Sequence, residues 1–369
     1  MKKEIKINMI DPNQPYNELP DLPPSEDLES KEVLKSVIEA RNALNELNLI
    51  STILPNKSVL LNTIPILEAK GSSEVEAIIT TTDELFQFEM QRPNEYDSAT
   101  KEAYRYCMAL KQGLQILDSG RPFNFNLAVH IANTLLGTNV SLRTHKVSLT
   151  NPTTNTCYYT PPFDYDCLLQ KLKNWEWFVN STSHLDPLVR LAMAHYQFEA
   201  IHPFSDGNGR TGRILNLLFL VKEGILSYPI LYLSRYILQN RPYYYECLRN
   251  VTFKNNWEEM ILFMLKALTI TAHWTTAKIK AIQMLIDETK TLIEANIQRI
   301  SIEKTIEVLF TQPYCRIRNF VEKDIAHRQT AAKYIEKLIL LGILQERSTS
   351  KKTEKLYVNQ KFLDLLKEE

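Results

Sequence analysis

His202-Pro203-Phe204-Ser205-Asp206-Gly207-Asn208-Gly209-Arg210-Thr211-Gly212-Arg213 separates two stretches of apolar residues at helical spacing. Before it, a helix is predicted from about Pro187 to Ala200, burying Leu188, Leu191, Ala192, His195 and Phe198. After it, a second helix is predicted from about Arg210 to Glu223, stopping at Gly224. The stretch therefore reads as a loop joining two core helices, and the fold around it reads as mainly α.

The residue types in this loop suit phosphate chemistry. Gly207 and Gly209 let the backbone bend and turn its N–H groups toward a ligand. The helix that follows adds its own unsatisfied N–H donors and partial positive charge. Arg210 and Arg213 share one face of its first turn, where two cations are unfavourable unless an anion joins them. Asp206 is an oxygen ligand of the kind Mg²⁺ takes beside a polyphosphate. Asn208 can donate to a phosphate oxygen, and His202 can accept a proton near neutral pH. Singly, each is an ordinary turn or core residue. Together they describe phosphoryl or nucleotidyl transfer.

Working outward, residues 1–30 are rich in Pro, Asp, Glu and Asn and read as an extended arm. Helical spacing covers 30–48, 83–117 with a break near Pro93, 122–136 and 165–180. Ser73 and Glu76 form a capping-box pattern, so a short helix is expected to begin at about Ser72. Lys146–Leu149 and Thr156–Tyr159 read as strands of a hairpin around 150–155. Further helices are expected near 241–251, 256–271 and 275–297. Beyond Ser301, helices at 302–311, 316–322 and 327–341 precede strand-like runs Ile343–Arg347 and Lys355–Asn359. Three helices and a hairpin make a winged helix-turn-helix. On its third helix His327, Arg328, Gln329 and Lys333 are expected to be exposed, with Ala332, Ile335 and Leu338 buried.

The bulk numbers set limits. Formal net charge is zero, from 43 basic and 43 acidic residues, so the molecule as a whole is no magnet for nucleic acid or membranes. Five scattered cysteines with no CxxC pair suggest neither a disulfide framework nor a zinc site. The N-terminal residues lack the apolar segment of a signal peptide. The longest apolar run noted, Ile214–Val221, is too short to span a bilayer. The expected location is cytoplasmic, with no membrane partner.

The loop resembles the signature of the Fic family, HxFx(D/E)GNGRxxR, at every defined position. A looser likeness extends from roughly residue 10 to residue 365. The resemblance implies a Fic catalytic core over 101–297, carrying a flap at about 146–159 and the signature loop at 202–213. Residues 1–100 form an N-terminal arm and helical region, and 298–369 form the winged module. It implies a protein adenylyltransferase: His202 deprotonates a Tyr, Ser or Thr hydroxyl of a target, or of the protein itself, and that oxygen attacks the α-phosphate of ATP. Asp206 holds Mg²⁺. Gly207, Asn208, Gly209, Arg210 and Arg213 bind phosphates. Phe204 anchors the loop, the flap docks the target, and Tyr244 and Tyr245 fall where the family lines its adenine pocket.

One class of the family carries an inhibitory helix with the pattern (S/T)xxxE(G/N). Ser72 and Glu76 match it near 72–80, with Ala77 in place of Gly or Asn. The resemblance implies that Glu76 denies Arg213 to the γ-phosphate, a carboxylate competing with a phosphate for one guanidinium. It also leaves open that Glu76 with His202 directs water to remove AMP. The alternatives are a Fic-type transferase of phosphate, UMP or phosphocholine, and a DNA-binding regulator with a nucleotide-sensing Fic domain. For the latter, the ten Lys/Arg against five Asp/Glu over 314–357, with Lys351, Lys352 and Lys355 expected on the wing, offer a DNA footprint; a solvated basic face or a module for protein contacts is the alternative, and a homo-oligomer is a separate expectation.

Overall fold

The computed structural model describes residues 10–53, 57–90, 97–150, 154–181, 184–347 and 355–368. The expected break at Pro93, the hairpin turn 151–153 and the basic residues Lys351 and Lys352 lie outside them. In chain order the first elements are α1 (Lys31–Ile53), α2 (Lys57–Val75), α3 (Thr82–Met90), α4 (Ser98–Asp118), α5 (Phe125–Leu136), β1 (Leu149–Thr150) and β2 (Cys157–Tyr159). Then come α6 (Tyr165–Asn180), α7 (Pro187–Ile201), α8 (Asn208–Lys222), α9 (Leu233–Gln239), α10 (Arg241–Lys254) and α11 (Trp257–Asn296). The remainder are α12 (Ile302–Thr311), β3 (Tyr314–Cys315), α13 (Ile317–Glu322), α14 (Arg328–Leu340), β4 (Gln345–Arg347), β5 (Leu356–Val358) and α15 (Gln360–Lys367). Of the described residues, those within Met1–Leu44, Met108–Pro229 and Leu233–Thr271 form one unit, and those within Asn45–Cys107, Ile230–Tyr232 and Ala272–Glu369 form a second.

In the first unit α7 packs between α6 and α8, and α5 packs on α8. Side-chain caps set the helix starts: Asn124 accepts from Leu127 N, Asp164 from Cys167 N, and Asp186 from Leu188 N, with Pro187 opening α7. α7 is buried on almost every side, which explains its near-continuous apolar sequence. Some of its polar groups have long-range partners. Trp175 Nε1 donates to Ala194 O at 3.0 Å, and Arg190 pairs with Glu223 at 2.5 Å. The hairpin is shorter than expected, pairing Leu149 with Tyr159 and Thr150 with Cys157. Ser148 meets Thr160 through their hydroxyls instead of through the ladder.

The second unit corrects the expected helix start at Ser72. Ser72 and Ser73 are buried in the last turn of α2, which runs through Pro65. The helix ends there: Ile78 N donates to Ser73 O, Ala77 N to Glu74 O, and Ala77 is left-handed with φ 61°. That is a Schellman ending, so the Ser-rich segment closes a helix rather than opening one. It also explains why Gly or Asn suits position 77. α2 packs against α3 and α12, α3 against β3 and α15, and α13 against α14. The sheet order is β3-β5-β4, all antiparallel. On α14 the buried stripe is Ala331, Ile335 and Leu338, whereas Ala332 is only half-buried. The helical stripe through 335 and 338 passes one turn back through 331. His327, Arg328, Gln329 and Lys333 are exposed.

One further correction concerns α11. Two helices were expected, but Trp257–Asn296 is continuous over 40 residues, because Ala272-His273-Trp274 contains no glycine or proline to break it. An 18-residue window of α11 has a mean hydropathy of 1.2 and is 61% buried within the chain. Its length and composition would let it cross a membrane, and its burial is that of a core helix. Thr, His and Lys residues scattered through it hid this from a search for uninterrupted apolar runs.

Candidate active site

The loop between α7 and α8 is built by two left-handed residues. His202 ends α7 with φ 50° and ψ 59°, its N–H donating to Phe198 O at 3.0 Å. For a non-glycine residue that conformation costs roughly 1–2 kcal/mol, so the surroundings must enforce it. Gly207 precedes α8 with φ 77°, which is where a glycine is needed. Between them Phe204 is fully buried, stacked on Phe125 at 5.6 Å and edge-on to Phe198 at 6.2 Å. Phe125 and Phe198 are thus packing partners for the anchoring role expected of Phe204.

Asn208 closes the loop. Phe204 N donates to Asn208 Oδ1 at 2.8 Å, and Asn208 Nδ2 donates to Phe204 O at 2.8 Å. The side chain is 2% exposed, so its amide shapes the loop. An anion at this helix end would meet backbone N–H groups, with Arg210 and Arg213 close by in the first turns of α8. Both arginines are buried, which concentrates positive potential in a region of low dielectric.

Asp206 differs from its neighbours. Its side chain is 72% exposed, accepts from Gly207 N at 2.6 Å and lies 3.8 Å from Arg210 Nη2. A single exposed carboxylate beside an anion-receiving helix end fits Mg²⁺, which keeps several waters and takes one or two carboxylates together with substrate phosphates.

Behind the loop, His195 on α7 is 2% exposed. Asn216 Nδ2 meets His195 Nδ1 at 3.0 Å and Tyr244 Oη meets His195 Nε2 at 2.8 Å. An amide nitrogen can only donate, so the ring carries its proton on Nε2 and donates to Tyr244. Burial, helped by the charge of Arg213, pushes the His195 pKa down to about 3. His195 is therefore a neutral core residue. Tyr244 is buried with it, whereas Tyr245 is exposed, with Arg241 5.8 Å above its ring. The two tyrosines expected at an adenine pocket thus have different surroundings. Ser72 and Glu76 belong to the second unit, at the end of α2, with Ser72 buried and Glu76 exposed.

Sequence reasoning passed over Arg143, which is 3% exposed. Its guanidinium donates to His202 O at 2.8 Å, His145 O at 3.1 Å, Ile201 O at 3.4 Å and Pro162 O. Its backbone N donates to Pro203 O at 2.9 Å. Burial lowers its pKa from the usual arginine value. Nearby, Tyr159 of β2 donates to Ala200 O at 2.9 Å. Nothing in the spacing around Arg143 marks it out.

Three family models match successive parts of the chain. The Fic/DOC family N-terminal model covers residues 34–115, the Fic/DOC family model 124–220, and the model for the C-terminal domain of SoFic-like protein adenylyltransferases 285–362. Among curated relatives, the protein adenylyltransferase fic-1 of Caenorhabditis elegans is 40% identical over 65 residues, 17% of this chain and 13% of the relative. The protein adenylyltransferase Fic of Drosophila virilis is 39% identical over 90 residues, 24% of this chain and 17% of the relative. The chain thus spans under a fifth of the length of either. A Fic family protein from Desulfovibrio desulfuricans G20 superposes with a TM-score of 0.57 at 17% identity, covering 91% of this chain and 98% of that one. At that identity the likeness is one of fold.

Proposed function

From the premise that the chain belongs to the Fic/DOC family, we propose that it is a protein adenylyltransferase, moving AMP from ATP to a Tyr, Ser or Thr hydroxyl of a target protein. The observation that carries this reading is His202, held in a left-handed turn, joined by one short loop to a helix start that bears Asp206, Arg210 and Arg213. A base and an anion site so linked suit attack of a hydroxyl on a bound phosphate.

In the proposed reaction the target oxygen forms a bond to the α-phosphorus while the bond from that phosphorus to the β-phosphate bridging oxygen breaks. Pyrophosphate leaves, and His202 takes the hydroxyl proton. Backbone N–H groups at the start of α8 receive the charge that develops on the α-phosphate, and Arg210 and Arg213 hold the outer phosphates. Asp206 would hold Mg²⁺, which neutralises phosphate charge when bound. Hairpin β1–β2 offers the short exposed strand edge on which a target backbone can pair.

Glu76 is proposed as a restraint on this activity, on the strength of its match with Ser72 to the inhibitory pattern. The Schellman ending of α2, which favours Gly or Asn at position 77, supports treating the segment as that pattern despite Ala77. ATP labelled separately at the α- and γ-phosphates tests the reaction type. Protein-bound label from α-labelled ATP only is the expected result; retention of γ-label would replace AMP transfer by phosphate transfer.

A further inference from the structure

Arg143 collects carbonyls that no helix or ladder bond can satisfy. Ile201 O and His202 O end α7, where the last carbonyls lack intrahelical partners, and Pro203 O belongs to the turn that follows. Arg143 donates to all three, two through its guanidinium and one through its backbone N–H. The same guanidinium reaches His145 O on the chain entering hairpin β1–β2 and Pro162 O on the chain leaving it. One buried side chain therefore joins both legs of the hairpin to the left-handed turn at His202. The positive charge also sits at the negative end of the α7 dipole, where it is favoured.

We propose that Arg143 is a positioning residue, fixing the His202 backbone and the two hairpin legs in one geometry so that base and docked hydroxyl meet in register. The proposal rests on the reading of His202 as base and of the hairpin as target-docking element. No lysine can replace it, since an ammonium offers three donors from one point, whereas these carbonyls lie on three separate segments around a planar fork. Because Arg143 lies outside the phosphate-binding loop, its loss should act on the rate of transfer rather than on ATP binding.

The test uses the full chain carrying Arg143→Lys, with Arg143→Gln as second variant and His202→Ala as control. Imidazole signals of the seven histidines are recorded by NMR with labelled histidine, the His202 signal being identified by its loss in the control. In the folded variants the signals of His202 and His145 should move and the other five stay. In the AMP-transfer assay kcat should fall about a hundredfold while KM for ATP changes by less than about threefold, as misplacement of a reacting group by about 1 Å costs. An unmoved His202 signal, an unchanged kcat, or a KM for ATP that rises as kcat falls would overturn the proposal. So would loss of cooperative unfolding in both variants, which would assign Arg143 to folding. If the unsubstituted chain transfers no AMP, the functional reading fails separately, and the imidazole signals alone decide the role of Arg143.

Discussion

Lowering the pH from 7 to 5 should weaken the fold through His195. The ring is 2% exposed, and its pKa is pushed from 6.5 to about 3. At pH 5 the unfolded chain therefore binds a proton at this position that the native chain does not. Where the unfolded state holds more protons, stability falls as pH falls. The loss begins near the unfolded pKa of 6.5 and stops growing near 3. Integrated between pH 7 and pH 5, the difference comes to about 2 kcal/mol. Urea unfolding followed by circular dichroism at pH 7, 6 and 5 measures it, with His195→Gln beside the unsubstituted chain. Glutamine keeps an amide for Tyr244 and Asn216 but gains no proton in this range. The unsubstituted chain should lose about 2 kcal/mol more than the variant over those two pH units. Equal losses would refute the claim that His195 is held neutral in the core.

Further outcomes follow from single contacts. Asn208→Ala leaves the buried N–H and C=O of Phe204 without their side-chain partner, at about 1–3 kcal/mol for each group; Asn208→Asp keeps only the acceptor and should fall between, both read by chemical denaturation. Ala77→Gly relieves a left-handed alanine at the end of α2 and should raise stability by about 1 kcal/mol, measured the same way. Gly207→Ala, with φ 77° and no severe clash awaiting its Cβ, should cost about 1 kcal/mol through backbone strain and lower the rate of AMP transfer more than it lowers stability.

The α7–loop–α8 core was legible because its signals are local and strong. Apolar spacing marked the helices, and glycines and charged residues of chemical consequence sat between them. Three kinds of feature were not legible. Helix direction at Ser72–Glu76 was misjudged because serine and glutamate near a helix end resemble a start, and only the left-handed Ala77 with its Schellman bonds decides the matter. The burial of His195 was legible, but its partners and the ties of Arg143 are long-range: Arg143 meets His202 across 59 positions and His195 meets Tyr244 across 49. No spacing rule reaches that far. Short strands such as Tyr314–Cys315 were missed because two residues carry no period.

The central claim is AMP transfer that depends on His202. Intact-protein mass spectrometry after incubation with MgATP tests it most directly, on the unsubstituted chain, Glu76→Gly and His202→Ala. The expected result is a mass gain of one adenylyl group that is greatest in Glu76→Gly, smaller in the unsubstituted chain and absent in His202→Ala. A gain of the same size in His202→Ala, or a gain corresponding to phosphate in place of AMP, would contradict it.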